Sequence, residues 1–418
     1  MTQSSNLYGR ALKKTPGGVS SPVRAFKPNP LFIEGAKGSR IRDVDGNEYL
    51  DYCLSYGPMI AGHACDEVLN LVKKQMSKGT LYGAPSEIEL KLIELISEKV
   101  PSAEMVRLAC SGSEATMHAI RVARGFTGRD GIVMMNGGYH GAHDQVLVNR
   151  DSGYRTKPGS LGIPNDLVKN TFVAEYNDME SLTEVIEAEK PACLIMEPVL
   201  GNTGVVLPEK GYLEEVRKLT KETDTVLIFD EVISGFRLSA GGAQEYYNII
   251  PDMTTCAKVM GGGFPGSAFM GRREIMENVA PMGKVYAAGT YAGNPISAAA
   301  GIAQIEYMSG RYDELNKRSE KLRRSLADSL EDRKMKGCVN GVGSMMSVFF
   351  GVDPVKNAMD ASNTDREMFC RLFKHMLDKG IYLAPSALES WFVSTAHTDE
   401  EISRTGETFD SFVKEEMS

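Results

Sequence analysis

Val226-Leu227-Ile228-Phe229-Asp230-Glu231 is an unbroken apolar run that closes on two acids. Such a run reads as a strand buried on both faces, carrying its carboxylates to the edge of a sheet. Lys258 follows, just ahead of Gly261-Gly262-Gly263, so a lysine opens a glycine-rich turn. An aspartate at a strand end and a lysine on such a turn are the two groups needed to hold and work pyridoxal 5'-phosphate. The amine bonds the cofactor aldehyde, and the carboxylate keeps the pyridine nitrogen protonated so that the ring accepts electrons. Taken alone, the strand also fits the magnesium-binding strand of a nucleotide hydrolase, and the lysine also fits a solvated loop. The chain has no G-x-x-x-x-G-K-[ST] pattern with which to cradle nucleotide phosphates.

Outward from this strand the texture alternates. Short apolar runs at 106–109, 132–135 and 193–196 are separated by helical stretches such as 211–221, and Ser86-Glu87-Ile88-Glu89 is a capping-box sequence opening another helix. Strands alternating with helices predict an α/β fold with a mostly parallel central sheet and flanking helices. Ligands of such sheets gather at the carboxyl ends of the strands. There the sequence places Ser111-Gly112-Ser113-Glu114, Asn136-Gly137-Gly138-Tyr139-His140, Glu197-Pro198 and Asp230-Glu231.

Each motif has a chemical and a plain reading. Ser111-Gly112-Ser113 opens a helix, so its amides and the helix dipole can cradle a phosphate, or it is an ordinary N-cap. Tyr139 can stack on a flat ring or serve packing. His140, His143 and Asp144 raise a metal site, but two histidines in a glycine-rich loop without a third ligand do not make one, and no metal is expected. Gly289-Thr290-Tyr291-Ala292-Gly293-Asn294-Pro295 precedes a helix containing Ala298-Ala299-Ala300-Gly301. Its hydroxyl can serve a phosphate, or its small residues merely allow close packing.

At 418 residues the chain exceeds one typical core. Residues 1–55 open with a hairpin around Asp45-Gly46 and are expected to join a smaller α+β domain formed by 295–418; residues 56–294 form the large domain. A net charge of −8 with interspersed signs argues against nucleic acid and anionic membrane as partners and favours a small molecule. Seven scattered cysteines without a C-x-x-C pair suit reduced thiols in a cytoplasm. No run of eighteen apolar residues is present, and the polar, basic stretch 1–18, without an apolar core, is not expected to act as a secretory leader.

In this order the motifs resemble the class III, fold-type I pyridoxal-phosphate aminotransferases, most closely their aminomutase branch, over nearly the whole chain. The segments that carry the resemblance include Ser20-Ser21-Pro22-Val23-Arg24-Ala25-Phe26, Tyr56-Gly57-Pro58-Met59-Ile60, Gly83-Ala84-Pro85, Tyr139-His140-Gly141, Asp230-Glu231-Val232, Gly235-Phe236-Arg237, Gly241-Gly242-Ala243-Gln244 and Tyr382-Leu383-Ala384-Pro385-Ser386.

The resemblance implies roles. Lys258 bonds the cofactor and shuttles protons, Asp230 partners the pyridine nitrogen, and Gly112 and Ser113 bind the phosphate, joined by Thr290 from the other subunit of a homodimer. Tyr139 and Val232 sandwich the ring, with Asn202 near its hydroxyl. Arg24 grips the substrate carboxylate through a charge-assisted fork, and Tyr56, Ser152 and Glu389 fall at substrate-side positions. The implied reaction is an intramolecular amino transfer from glutamate-1-semialdehyde to 5-aminolevulinate for tetrapyrrole synthesis. It starts from the pyridoxamine form and passes through a diamino intermediate, with 141–166 as a lid. Transient contact with the upstream glutamyl-tRNA reductase is a further expectation. Where the family usually has Trp, Met-Thr and Leu-Ser, the chain has Tyr56, Ile233-Ser234 and Tyr291-Ala292. The alternative is an aminotransferase of a β- or ω-amino acid with an external acceptor. That reaction calls for a second carboxylate-reading arginine, and none lies between Lys379 and Glu400.

Overall fold

The apolar runs become strands because both their faces are covered. Ile132–Met135, Cys193–Met196 and Val226–Glu231 are buried at every position in the computed structural model, which describes residues 2–418. Seven strands form one sheet in the spatial order Met105–Ala109, Ser267–Gly271, Met253–Cys256, Val226–Glu231, Cys193–Met196, Ile132–Met135, Thr171–Ala174. All neighbouring pairs are parallel except those made by Ser267–Gly271, which runs antiparallel to both its neighbours. Sequence patterning does not mark that strand, since Ser267-Ala268-Phe269-Met270-Gly271 has no β-branched residue. Ala115, Ala119, Ile120 and Ala123 of the Gly112–Thr127 helix pack into a core with Ile195, Ile228 and Phe269. Burial of each large apolar side chain contributes roughly 1.5–3 kcal/mol.

The chain divides into two units. One comprises Asp66–Tyr312 with Lys356–Met359; the other comprises the residues up to Cys65, Asp313–Val355 and Asp360–Ser418. The sequence boundaries at 55/56 and 294/295 therefore differ from the structural ones at 65/66 and 312/313. The cause is the Pro295–Met308 helix, which packs on the Asp66–Met76 and Glu87–Lys99 helices and on the Lys258–Gly261 turn. A helix so apolar all round, with eleven buried residues, belongs inside the large unit.

The second unit holds a sheet ordered Ile33–Lys37, Arg40–Asp43, Glu48–Asp51, Ile381–Tyr382 and another ordered Gly337–Val342, Met345–Phe350, Trp391–Phe392. The hairpin expected around Asp45-Gly46 is present, its turn held by Asp43 Oδ1, which accepts from the amides of Asp45 and Asn47. Asp399–Glu416 begins with a complete capping box between Thr398 and Glu401.

Candidate active site

Val226–Glu231 ends with two carboxylates on opposite sides of the sheet, as the period of a strand requires. Glu231 points into packing, where its oxygens accept from Ser234 Oγ, from the amides of Ala243 and Gln244, and from Gln244 Nε2. Asp230 faces the other way. Its Oδ1 accepts from Val232 N at 3.1 Å and Thr255 Oγ1 at 3.2 Å, and its Oδ2 lies 2.7 Å from His140 Nδ1. The histidine weighed in the sequence as a metal ligand is thus the partner of the strand-end aspartate. No group of three metal-ligating side chains occurs among the described residues.

Lys258 follows the Met253–Cys256 strand and takes φ +42°, with Gly262 and Gly263 at +59° and +87°. A lysine in that region costs of order 1 kcal/mol, a strain that persists only where the surroundings over-determine it. Here the Pro295–Met308 helix supplies them. A Cβ on Gly301 would lie 2.4 Å from Met260 O, and one on Gly262 would lie 2.4 Å from Ala300 O. The run Ala298-Ala299-Ala300-Gly301 therefore allows the helix to press against the lysine turn.

Ser111 caps the Gly112–Thr127 helix by accepting from Glu114 N. That leaves the other first-turn amides without intrahelical partners, under the positive end of the dipole. Ser113 Oγ accepts from Ala142 N at 3.0 Å, and Gly141, at φ +99°, approaches so closely that a Cβ would lie 2.6 Å from Ser113 Cα. Glu197, buried at the end of its strand, joins two further elements. Its Oε1 accepts from Tyr139 N and Asn202 Nδ2, each at 3.0 Å, and its Oε2 from Gly201 N at 2.8 Å. Burial first, and the charge of Asp230 second, push the Glu197 carboxyl above its ordinary range.

These groups converge on one cavity of about 290 Å³, lined among others by Gly112, Ser113, Tyr139, Asn202, Asp230, Val232 and Lys258. Its size is near the lower end of the roughly 300–1,000 Å³ of small-ligand pockets. An anion cradle at a helix start, a carboxylate backed by a histidine, a lysine, and an aromatic and a branched aliphatic side chain in one lining match the phosphate, ring nitrogen, aldehyde and flat ring of pyridoxal phosphate. Strand-end position marked Glu197 in the sequence, but its cross-links to Tyr139 and Asn202 were invisible there.

Other expected residues lie elsewhere. Thr290 is exposed and outside this lining, and so is Ser152, at the tip of a hairpin between Val148–Arg150 and Thr156–Pro158. The segment 141–166 contains that hairpin. Arg24 and Tyr56 line a separate cavity of about 510 Å³ in the unit that contains them, with Tyr382, Asp51 and His63. Burial, then Cys53 and Glu389, push the Tyr56 phenol up, and Arg24 draws it back, so Glu389 and Arg24 both act on Tyr56.

The class III aminotransferase family model matches residues 23–409. The chain is 51% identical over 411 residues to the glutamate-1-semialdehyde 2,1-aminomutase of Archaeoglobus fulgidus, covering 97% of this chain and 98% of that protein. It is 50% identical over 417 residues to the protein of the same name from Methanothrix thermoacetophila, covering 99% and 97%. Among solved structures, an omega-transaminase from Sphaerobacter thermophilus superposes with a TM-score of 0.93 at 30% identity, covering 99% of this chain and 97% of that one. From residue 23 to 409, with its lysine, aspartate and helix-start cradle at one cavity, the chain belongs to the class III aminotransferase family.

Proposed function

We propose that this chain converts (S)-glutamate-1-semialdehyde to 5-aminolevulinate by intramolecular amino transfer, using pyridoxal and pyridoxamine 5'-phosphate, for tetrapyrrole synthesis. The observation that carries the reading is the meeting of Lys258, Asp230 and Gly112-Ser113 at one cavity, in a chain 51% identical almost end to end to a protein of that name.

Bound there, the cofactor supplies an aldehyde or amine and a ring that accepts electrons from the substrate. Lys258 holds the cofactor and carries the proton that must move between carbons; its left-handed backbone fixes where the side chain starts. Asp230, oriented by His140, Thr255 and the Val232 amide, holds the proton on the ring nitrogen. The Gly112 and Ser113 amides take the phosphate. Tyr139 and Val232 flank the ring, and Asn202, turned by Glu197 so that its Nδ2 is engaged, offers its Oδ1 to the ring hydroxyl. Arg24 takes the substrate carboxylate, with Tyr56, Ser152 and Glu389 on the substrate side.

The working unit in this reading is a homodimer in which Thr290 serves the partner's phosphate. Its support is the exposure of Thr290 and, in the same stretch of chain, of Met282, Tyr286 and Tyr291, which are 64%, 72% and 62% exposed. A cytoplasmic setting and transient contact with glutamyl-tRNA reductase complete the proposal. None of the described helices is long and apolar enough to cross a membrane, and a reactive aldehyde favours short transfer.

The second reading, an aminotransferase with an external acceptor, is favoured by the 0.93 TM-score to an omega-transaminase. The two part when purified, cofactor-loaded protein receives glutamate-1-semialdehyde with no added amino donor or acceptor. Sustained 5-aminolevulinate over many turnovers is expected; a single turnover, restored by an external amino compound, establishes the aminotransferase instead.

A further inference from the structure

Four successive residues run left-handed in the unit that carries Arg24: Leu54 at φ +44°, Ser55 at +58°, Tyr56 at +66° and Gly57 at +117°. Only the last is a glycine. Three side-chain-bearing residues therefore occupy a region that L-residues avoid, and the surroundings must hold them there.

Asp51 is what holds them. Its Oδ1 accepts from Cys53 N at 2.9 Å and Leu54 N at 3.0 Å, at the entrance to the turn. Backbone bonds from Tyr56 N to Cys53 O and from Gly57 N to Leu54 O close it. Asp51 Oδ2 lies 2.7 Å from His63 Nε2, and the two side chains are 3% and 11% exposed. His63 is itself fixed, because its backbone exchanges hydrogen bonds with Gly38 in both directions. Gly62, at φ +83°, packs so closely that a Cβ would lie 2.6 Å from Ala396 Cβ. At the far end of the turn Tyr56 Oη donates to Val23 O at 2.6 Å, one residue before Arg24. Arg24, Tyr56, Asp51 and His63 line the same cavity, whose other walls include Phe26, Leu31 and Phe32.

We propose that His63 and Asp51 are positioning residues for carboxylate recognition: the pair locks the left-handed turn, the turn sets Tyr56, and Tyr56 sets Arg24 through the Val23 carbonyl. The inference rests on the role given to Arg24 under Proposed function.

The test uses the cofactor-loaded enzyme and reads two quantities: the Kd of 5-aminolevulinate by calorimetry and the KM and kcat for glutamate-1-semialdehyde. His63→Ala raises Kd and KM about tenfold and lowers kcat less than about threefold, the mark of lost uniform binding. His63→Gln, whose Nε2 can still donate to Asp51, stays within about twofold. In a Tyr56→Phe background the His63→Ala effect falls below about threefold, because the two act in one chain of contacts. Arg24→Lys is measured alongside. If it weakens 5-aminolevulinate binding while His63→Ala does not, or if His63→Ala and Tyr56→Phe simply add, the inference is overturned and the Arg24 reading survives. If Arg24→Lys leaves binding unchanged, the carboxylate reading fails and the inference with it.

Discussion

His140 Nδ1 and Asp230 Oδ2 stand 2.7 Å apart with both side chains buried, although 90 residues separate them in the chain. The imidazole fixes the orientation of the Asp230 carboxylate, which in the proposed mechanism faces the ring nitrogen. His140→Ala is expected to lower kcat about tenfold to a hundredfold, the worth of one hydrogen bond to a charged group. His140→Asn, whose Nδ2 can take the place of Nδ1, should recover most of it. Steady-state kinetics with cofactor retention after dialysis check both.

Lys258→Ala should abolish turnover and covalent cofactor attachment together. Borohydride reduction of protein loaded with pyridoxal 5'-phosphate, followed by intact-protein mass spectrometry, reads the attachment directly: wild type gains the cofactor mass and the variant does not. Retained activity would remove Lys258 from the mechanism.

Gly141→Ala presses on Ser113, at the helix start proposed to take the phosphate. The new methyl would sit 2.6 Å from both Ser113 Cα and Ser113 Oγ, at a backbone angle of +99° that alanine resists. Cofactor Kd, measured by equilibrium dialysis, is expected to rise about tenfold or more through this strain, with a smaller rise for Ser113→Ala.

Acid should weaken the fold through two histidines. Burial above all draws His143 and His397 down from 6.5 to about 4. The unfolded chain therefore takes up protons below 6.5 that the folded chain refuses until about 4. Stability is full above pH 6.5 and falls as pH drops through that window, by up to about 1.4 kcal/mol per unit for each histidine. Urea midpoints between pH 4 and 7 should show the slope, and His143→Gln or His397→Gln should flatten it.

Glu231 and Asp230 should separate stability from activity. Glu231→Ala strands the amides of Ala243 and Gln244, each at roughly 1–3 kcal/mol, and should lower Tm. Asp230→Asn should cut kcat with little change in Tm. Thermal melts beside kinetics decide.

Much of this site was readable because strands deliver residues locally. Asp230, Lys258, Ser113 and Tyr139 each follow a recognisable run or turn, and all four line one cavity. What escaped depends on contacts distant in sequence. Nothing near His140 names Asp230, and nothing near Glu197 names Tyr139. Ser267–Gly271 lacks the composition of a strand and is made one by two antiparallel neighbours. The placement of the Pro295–Met308 helix escaped for a related reason: it is fixed by Gly262 and Gly301, where the two backbones nearly touch.

The paired acids at the end of Val226–Glu231 carry one further consequence. Because neighbouring positions on a strand face opposite ways, chemistry and assembly here are assigned by parity. A single residue inserted anywhere in 226–229 would keep every side chain in the protein and still turn Glu231 toward the cavity and Asp230 toward Gln244. Both jobs would be disturbed at once. A compensating deletion in the same strand restores both with the native residues, so length variation among relatives of this chain should accumulate in its connections and spare these few residues.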